Sequence, residues 1–360
     1  MIGSLRVSKR ISVDIWGECM KFLSKRLAIE DRKKQYSIFS HRLKHKVSIL
    51  PKEAGYFLMN IALVEKALLE PSYNKYLQSY KSQQFSLEPG DVSIVNELEQ
   101  TGICITSLDA LCVPNTEKFW AAAQQLCNEL AETAAAPSGK GKDKIRATGA
   151  QFVKYSDVYH WGLEERLLNI VERYLKVPAA YGHPMFSLHV AEWSHERSGY
   201  WHRDREDRRM LKIGVYFSDV DRESGPFEYV RPEDTAALFK RLQQKYPFMQ
   251  TYKTLLHSPL EKLLDSEADW LQPCTGKAGT VVLFDPTRVY HRGKPPEKSN
   301  RFATFFGYHS RRPTYPFSCG LSHFSSKDAH SLAAPLSERQ RDCINWRDEL
   351  TGVAKMALQF

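Results

Sequence analysis

Cysteine is sparse and scattered: seven residues, from Cys19 to Cys343, with no C-x-x-C pair. An odd count without regular spacing argues against a disulfide framework and against a structural zinc site. It suits a reducing, cytoplasmic compartment. Long hydrophobic runs are also missing. No stretch approaches the roughly 18 consecutive apolar residues of a membrane span. The opening MIGSLRVSKRISVDIWGECMKF is basic, with no continuous apolar segment and no small-residue cleavage site, so no secretory signal is expected. G-x-S-x-G, a Walker-type phosphate loop, H-E-x-x-H, zinc-finger spacing and an RRM-like aromatic motif are absent. Those gaps remove the serine-hydrolase elbow, the P-loop nucleotidases, the zincin proteases and common nucleic-acid modules. Internal repeats and low-complexity tracts are lacking as well.

What is present is a globular composition. With 42% hydrophobic and 12% aromatic residues in 360, the chain can build the core of one large or two ordinary domains. The formal net charge of +9 is uneven. Residues 1–90 hold 16 Lys+Arg and 8 Asp+Glu, which leaves 35 against 34 for the rest. The basic character therefore belongs to an N-terminal helical module, 1–90. Such a module suits an anionic partner, whether an acidic carrier protein, a membrane surface or nucleic acid, or is simply a solvated helical face.

Periodicity predicts helices over 11–33 and 53–83, the second divided at Pro71, and a linker at 86–91. Asp91 is expected to cap a short helix that Gly102 ends, and Asn115 to cap TEKFWAAAQQLCNELAETAA. ICITSLDAL reads as a strand and turn, 136–144 as a surface loop, GAQFVKY as a strand and GLEERLLNIVERYL as an amphipathic helix. From Met185 the period changes to two. MFSLHVAEW and MLKIGVYF alternate, and FEYV, TVVLF and RFATFFGY are short, β-branched or aromatic. Strands of this kind over 91–335, with a helical insert at about 233–270, predict an antiparallel barrel or sandwich. A helical segment, 336–360, closes the chain.

The chemistry concentrates in YWHRDREDRRMLKIGVYF and GTVVLFDPTRVYHRGKPPEKSNRFATFF. His202 and Asp204 are two apart after a strand and an aromatic turn, so on extended backbone both side chains reach one point. His291 follows the strand TVVLF and arrives from elsewhere in the fold. Two imidazoles and one carboxylate can hold Fe(II) on one face of its octahedron, leaving positions for a bidentate 2-oxo acid and O2. Arg301 lies ten residues after His291 on an apolar strand. Its planar fork suits the far carboxylate of 2-oxoglutarate better than a lysine would.

The two blocks resemble the phytanoyl-CoA dioxygenase-like family of the Fe(II)/2-oxoglutarate-dependent oxygenases. WHRD followed by KIGVYFSDVDRESGPFEYV matches that family's His-x-Asp block, and GTVVLFDPTRVYHRG its distal-histidine segment. The resemblance covers roughly residues 92–312. It implies a double-stranded β-helix (jelly-roll, cupin-like) core flanked by helices, an α+β fold. It also implies His202, Asp204 and His291 as iron ligands, Arg301 as co-substrate anchor, and succinate and CO2 as co-products. Where the family commonly has Gly-Ser-His after the G-P-F-x-x-V strand, this chain has Arg231, Pro232 and Glu233, which puts the neighbouring loop in doubt. Halogenating relatives replace the carboxylate ligand by a small residue; Asp204 is retained, which favours hydroxylation.

Secondary candidates surround these. Lys154 or Tyr155, on the predicted strand GAQFVKY, could add a hydrogen bond to 2-oxoglutarate. Trp201, His189 and Arg292 are placed at the substrate, and Arg288, Arg292 and Lys294 together could meet an anionic one. Arg203, between two ligands, should point away. No catalytic side chain beyond the ligands is expected, and the substrate is a small molecule, free or thioester-linked. Two competing readings are a non-catalytic jelly-roll scaffold with a basic helical arm, and an oxygenase directed at nucleic acid. The latter is weakened because the charge lies outside the predicted barrel.

Overall fold

The computed structural model describes residues 70–80, 87–137, 139–182, 184–191, 199–204, 206–245, 270–316, 319 and 324–350. All belong to one compact unit, Tyr56–Gln359. The expected helix at 11–33, most of the basic module and the LEKLL part of the insert lie outside the described residues. No described helix is long and apolar enough to cross a membrane.

Helix α1 (Glu70–Tyr80) carries Pro71 in its first described turn, where a proline's missing amide costs no hydrogen bond, and the part of the expected 53–83 stretch before it lies outside the described residues. It docks on the main body: the Tyr80 hydroxyl donates to Glu172 at 2.7 Å, and Arg208 lies 4.7 Å from the Tyr73 ring. Helix α2 (Pro89–Thr101) ends at Gly102, whose φ of 74° is the left-handed cap a glycine supplies. Its N-cap is Glu88, not Asp91. Asp91 sits inside the first turn, buried, and pairs with Arg166 at 3.0 Å. β1 (Ile103–Ser107) and the single turn α3 (Leu108–Leu111) follow, then the long helix α4 (Thr116–Ala135). Asn115 precedes α4 but makes no cap bond; its amide donates to Glu164 instead.

β2 (Lys144–Arg146) begins at Lys144, the last residue of the segment expected as loop. GAQFVKY forms helix α5 (Gly149–Lys154) and not a strand. The reason is local: Thr148 and Gln151 make a reciprocal capping box, and the three β-branched or aromatic residues Phe152, Val153 and Tyr155 do not outweigh it. Helices α6 (Ser156–Trp161) and α7 (Glu165–Leu175) lead into β3 (Ala179–Tyr181) and β4 (Met185–His189). β5 (Leu211–Tyr216), β6 (Phe227–Val230), helix α8 (Pro232–Lys245), β7 (Leu271–Cys274), β8 (Thr280–Phe284), β9 (His291–Gly293) and β10 (Arg301–Ser310) complete the sheets. Helices α9 (Ser326–Ala333) and α10 (Glu338–Ile344) follow.

The strands form two antiparallel sheets. The larger runs β1-β8-β5-β10-β4-β2, with β3 also on β10; the smaller runs β7-β6-β9. From β4 onward the chain moves between them: β4 and β5 in the large sheet, β6 and β7 in the small, β8 large, β9 small, β10 large. An isolated bridge, His202 to His291, adds the segment before β5 to the small sheet's β9 edge. Alternation along β10 explains how the sheets are covered. Phe306 and Tyr308 face the helices, where Phe119 stacks on Trp161 at 4.4 Å. Ala303 and Phe305 face the small sheet, packing with Tyr216, Val282, Phe284, Phe227 and Cys274. Each such fully buried aromatic or aliphatic side chain contributes roughly 1.5–3 kcal/mol. Arg301 shares the parity of Ala303, so its guanidinium enters the space between the sheets.

Candidate metal centre

His202 and Asp204 lie on the extended segment just before β5. Gly199 brings that segment in: its φ is 85°, and a Cβ there would stand 2.7 Å from the Gly293 carbonyl oxygen. His202 and His291 then exchange backbone hydrogen bonds at 3.0 and 2.9 Å, while the Asp204 amide donates to the Pro286 carbonyl at 2.8 Å. The backbone ladder therefore sets the side-chain convergence.

The His202 Nδ1–H donates to the Tyr200 carbonyl at 2.7 Å, and the His291 Nδ1–H to the Val289 carbonyl at 3.2 Å. A carbonyl only accepts, so both rings are held with Nε2 as the bare nitrogen. Those two nitrogens stand 3.6 and 4.0 Å from Asp204 Oδ1, and all three donor atoms lie within 4.8 Å of one another. The ring of His291 is floored by Phe227 and Phe284, at 5.6 and 5.3 Å between centroids. The His202 side chain is 39% exposed against 9% for Asp204 and 4% for His291, so the site opens on the His202 side.

Asp204 Oδ2 faces away from the histidines and lies against the Lys212 ammonium of β5. Burial alone would raise the Asp204 carboxyl, but Lys212, His291 and His202 hold it down at about 2. Burial, with His202 beside it, pushes His291 down to about 3, so this imidazole stays neutral and able to ligate. Two imidazole nitrogens and one ionised oxygen make a donor set that fits a divalent ion such as Fe(II).

Arg301 is 2% exposed. One of its nitrogens donates to the Lys294 carbonyl at 3.3 Å, and its Nε has no partner. Gly293 leaves room for it: a Cβ there would stand 3.1 Å from the guanidinium. A buried guanidinium with unused donors fits a carboxylate ligand. His189 of β4 lies directly opposite Arg301, with burial and the charges of Arg301, Lys144 and Arg146 keeping its ring neutral.

Other expected residues go elsewhere. Lys154 and Tyr155 stand on and after α5, and both bind Glu129 of α4; the strand that would have carried them inward does not exist. Trp201 points to the opposite face of the small sheet from His202, packed with Val230, Leu238 and Tyr290. Arg292 lies over the Trp201 ring at 4.8 Å and pairs with Glu228 at 2.7 Å. Arg203 donates to the Thr287 carbonyl, away from the triad as expected. Lys212 was missed, although its lone charge in the apolar run MLKIGVYF is the kind of signal that flags an inward cation.

No protein-family model matches the chain, and no curated protein matches it. Several solved structures do. HygX of Streptomyces hygroscopicus, crystallised with nickel and 2-oxoglutarate bound, aligns with a TM-score of 0.43 at 16% identity over 63% of this chain and 88% of its own. The same protein has been crystallised with iron bound, aligning with a TM-score of 0.40 at 17% identity over 62% of this chain and 87% of its own. EctD of S. alaskensis in its apo form aligns with a TM-score of 0.42 at 18% identity over 60% of this chain and 76% of its own. Function here is carried by the geometry of the triad and its surroundings.

Proposed function

We propose that this chain is an Fe(II)- and 2-oxoglutarate-dependent dioxygenase that hydroxylates an unactivated C–H of a small molecule, free or carried as a thioester. The observation that carries this is the triad. His202 Nε2, His291 Nε2 and Asp204 Oδ1 converge within 4.8 Å, with both Nδ1 atoms fixed by backbone carbonyls. The alternation of strands between two sheets, with His202 and His291 bridged on one of them, supports a double-stranded β-helix as the scaffold.

When bound, the ferrous ion with 2-oxoglutarate and O2 supplies the oxidising power for C–H hydroxylation, with succinate and CO2 as co-products. The chain's own residues do the rest. The two imidazoles offer neutral nitrogen donors, and Asp204 offers one oxygen while Lys212 holds the other aside. Arg301 anchors the far carboxylate of the co-substrate through its planar fork. Phe227, Phe284 and Phe305 keep water from the floor of the site, which limits uncoupled oxidation. An oriented triad with its pairing oxygen preset has no use in an inert scaffold.

Anaerobic addition of Fe(II) and 2-oxoglutarate should produce a visible charge-transfer band, and His291→Ala should abolish both the band and 2-oxoglutarate-dependent succinate formation. An undiminished band in that variant would remove the ligand assignment.

A further inference from the structure

The cations expected to meet an anionic substrate, those around His291, are engaged within the protein. Arg288 donates to the carbonyls of Leu98, Glu99 and Gln100 at 2.7, 3.1 and 3.3 Å. Arg292 is held by Glu228, and Lys294 by the Arg222 carbonyl and Glu297 at 2.8 Å each. A second group of cations lies on the inner face of the large sheet, at its β2 edge. There the register sets Lys144 opposite His189 and His189 opposite Arg301, one row across three strands. Arg146, opposite Ser187, stands next to that row on the same face. Among the described residues, Lys144, Arg146 and His189 have no hydrogen-bond or ion-pair partner.

This arrangement calls for negative charge. Lys144 is half-buried beside the exposed Arg146 on the same face, and like charges side by side repel: burial, Arg146, Arg301 and Lys212 press the Lys144 ammonium down to about 8, against the opposing pull of Asp143. The co-substrate does not answer the need, because its one distal carboxylate neutralises one guanidinium, that of Arg301. Strands are spaced about 4.8 Å apart, so the backbones at Lys144 and Arg301 are about 10 Å apart. That is room for two separate anions.

We infer that Lys144 and Arg146, with the His189 ring beside them, form an oxyanion subsite for the molecule to be oxidised. That molecule carries a carboxylate or phosphate group, docked at the β2 edge while Arg301 holds the co-substrate. The inference rests on the 2-oxoglutarate reading for its division of labour, but the anion site itself is testable without it.

The test uses inorganic phosphate as the probe and the full chain. Calorimetry on the metal-free protein should show phosphate binding, and a double K144A/R146A variant should weaken it by about tenfold or more. The charge-retaining pair K144R/R146K should keep it. With Co(II) and 2-oxoglutarate loaded, the bound phosphate should show paramagnetic broadening of its phosphorus resonance while 2-oxoglutarate stays bound. The 2-oxoglutarate affinity, read from the anaerobic Fe(II) charge-transfer band, should be lost in R301A and kept in K144A/R146A. No phosphate binding to the wild type, or equal binding in K144A/R146A, overturns the subsite. So does a fall in 2-oxoglutarate affinity in K144A/R146A as large as that in R301A, since those cations would then belong to the co-substrate. If the wild type shows no charge-transfer band but its phosphate binding still depends on Lys144 and Arg146, the oxygenase reading fails and the anion site stands.

Discussion

Lys212 offers the sharpest test of the site. Its ammonium lies against Asp204 Oδ2, and the two side chains are 20% and 9% exposed. In metal-free protein this lysine is the main counter-charge for a buried carboxylate, with the two imidazoles on the other oxygen. Lys212→Met keeps the length and removes the charge. Breaking one side of a buried pair costs about 3–5 kcal/mol. An independent bound agrees: Asp204 can escape by taking a proton, which at pH 7 costs about 4 kcal/mol for a carboxyl of ordinary pKa near 3.9. At about 2 °C per kcal/mol for a chain of this size, the metal-free variant should melt about 6–10 °C below wild type. Saturating Ni(II) or Co(II) supplies the missing charge to the same carboxylate, so the difference should shrink by half or more. Thermal unfolding followed with and without metal reads both quantities. An equal melting temperature without metal would deny the ion pair. An unchanged gap with metal would deny that Lys212 and the ion share Asp204.

Arg301→Lys should weaken 2-oxoglutarate binding by about tenfold or more, because an ammonium lacks the bidentate fork, while metal binding stays as in wild type; a charge-transfer titration separates the two. In chelator, stability should fall as pH drops from about 6.5 towards 3. His291 is held near 3 in the fold, so the unfolded chain takes up the proton first; Asp204, held at about 2, adds its loss below about pH 4. His291→Phe should flatten the first part of that profile in urea titrations, and an unaltered slope would point to another group. Glu172 is 2% exposed and accepts from Tyr80, Arg339 and the Ala179 amide, tying α1, α10 and β3 to α7. Glu172→Ala should lower the unfolding free energy by about 3 kcal/mol in urea, and a loss under 1 kcal/mol would show that the network is not cooperative.

The strands β1, β4, β5, β6, β8 and β10 were legible because each rests on the pattern within one short segment, whereas β2, β3, β7 and β9, three or four residues each, carry too little pattern to show. Alternation in MFSLH and LKIGVY directly records which side chains meet the helices, and the observed β4 and β5 follow it. The failures share another cause. GAQFVKY has strand-like composition, yet a single capping pair, Thr148 with Gln151, decides its fold. Asp91 is a good cap residue by type, yet it became the partner of Arg166, 75 residues away. Residue type reports what a side chain is able to do; which of its options is used depends on neighbours distant in sequence.

The same distinction governs the site. His202, Asp204, His291 and Arg301 could be picked out because spacing on extended backbone fixes direction, and direction is what convergence requires. The cations could not be sorted that way. Arg288, Arg292 and Lys294 stand beside His291 in sequence, yet each is bound to a carbonyl or carboxylate contributed by another segment. Lys144 stands in a segment read as solvent-exposed loop, yet the pairing of β2 with β4 turns it onto the face that Arg301 shares. The two groups of charge differ in one structural respect. Those on the β9 side have carboxylates or carbonyls supplied by the fold, whereas Lys144 and Arg146 on β2 have none among the described residues. Among the described residues, the cations at one end of the sheet are satisfied by the fold and those at the other, on the face that Arg301 shares, are not, which is the contrast the proposed oxyanion subsite explains.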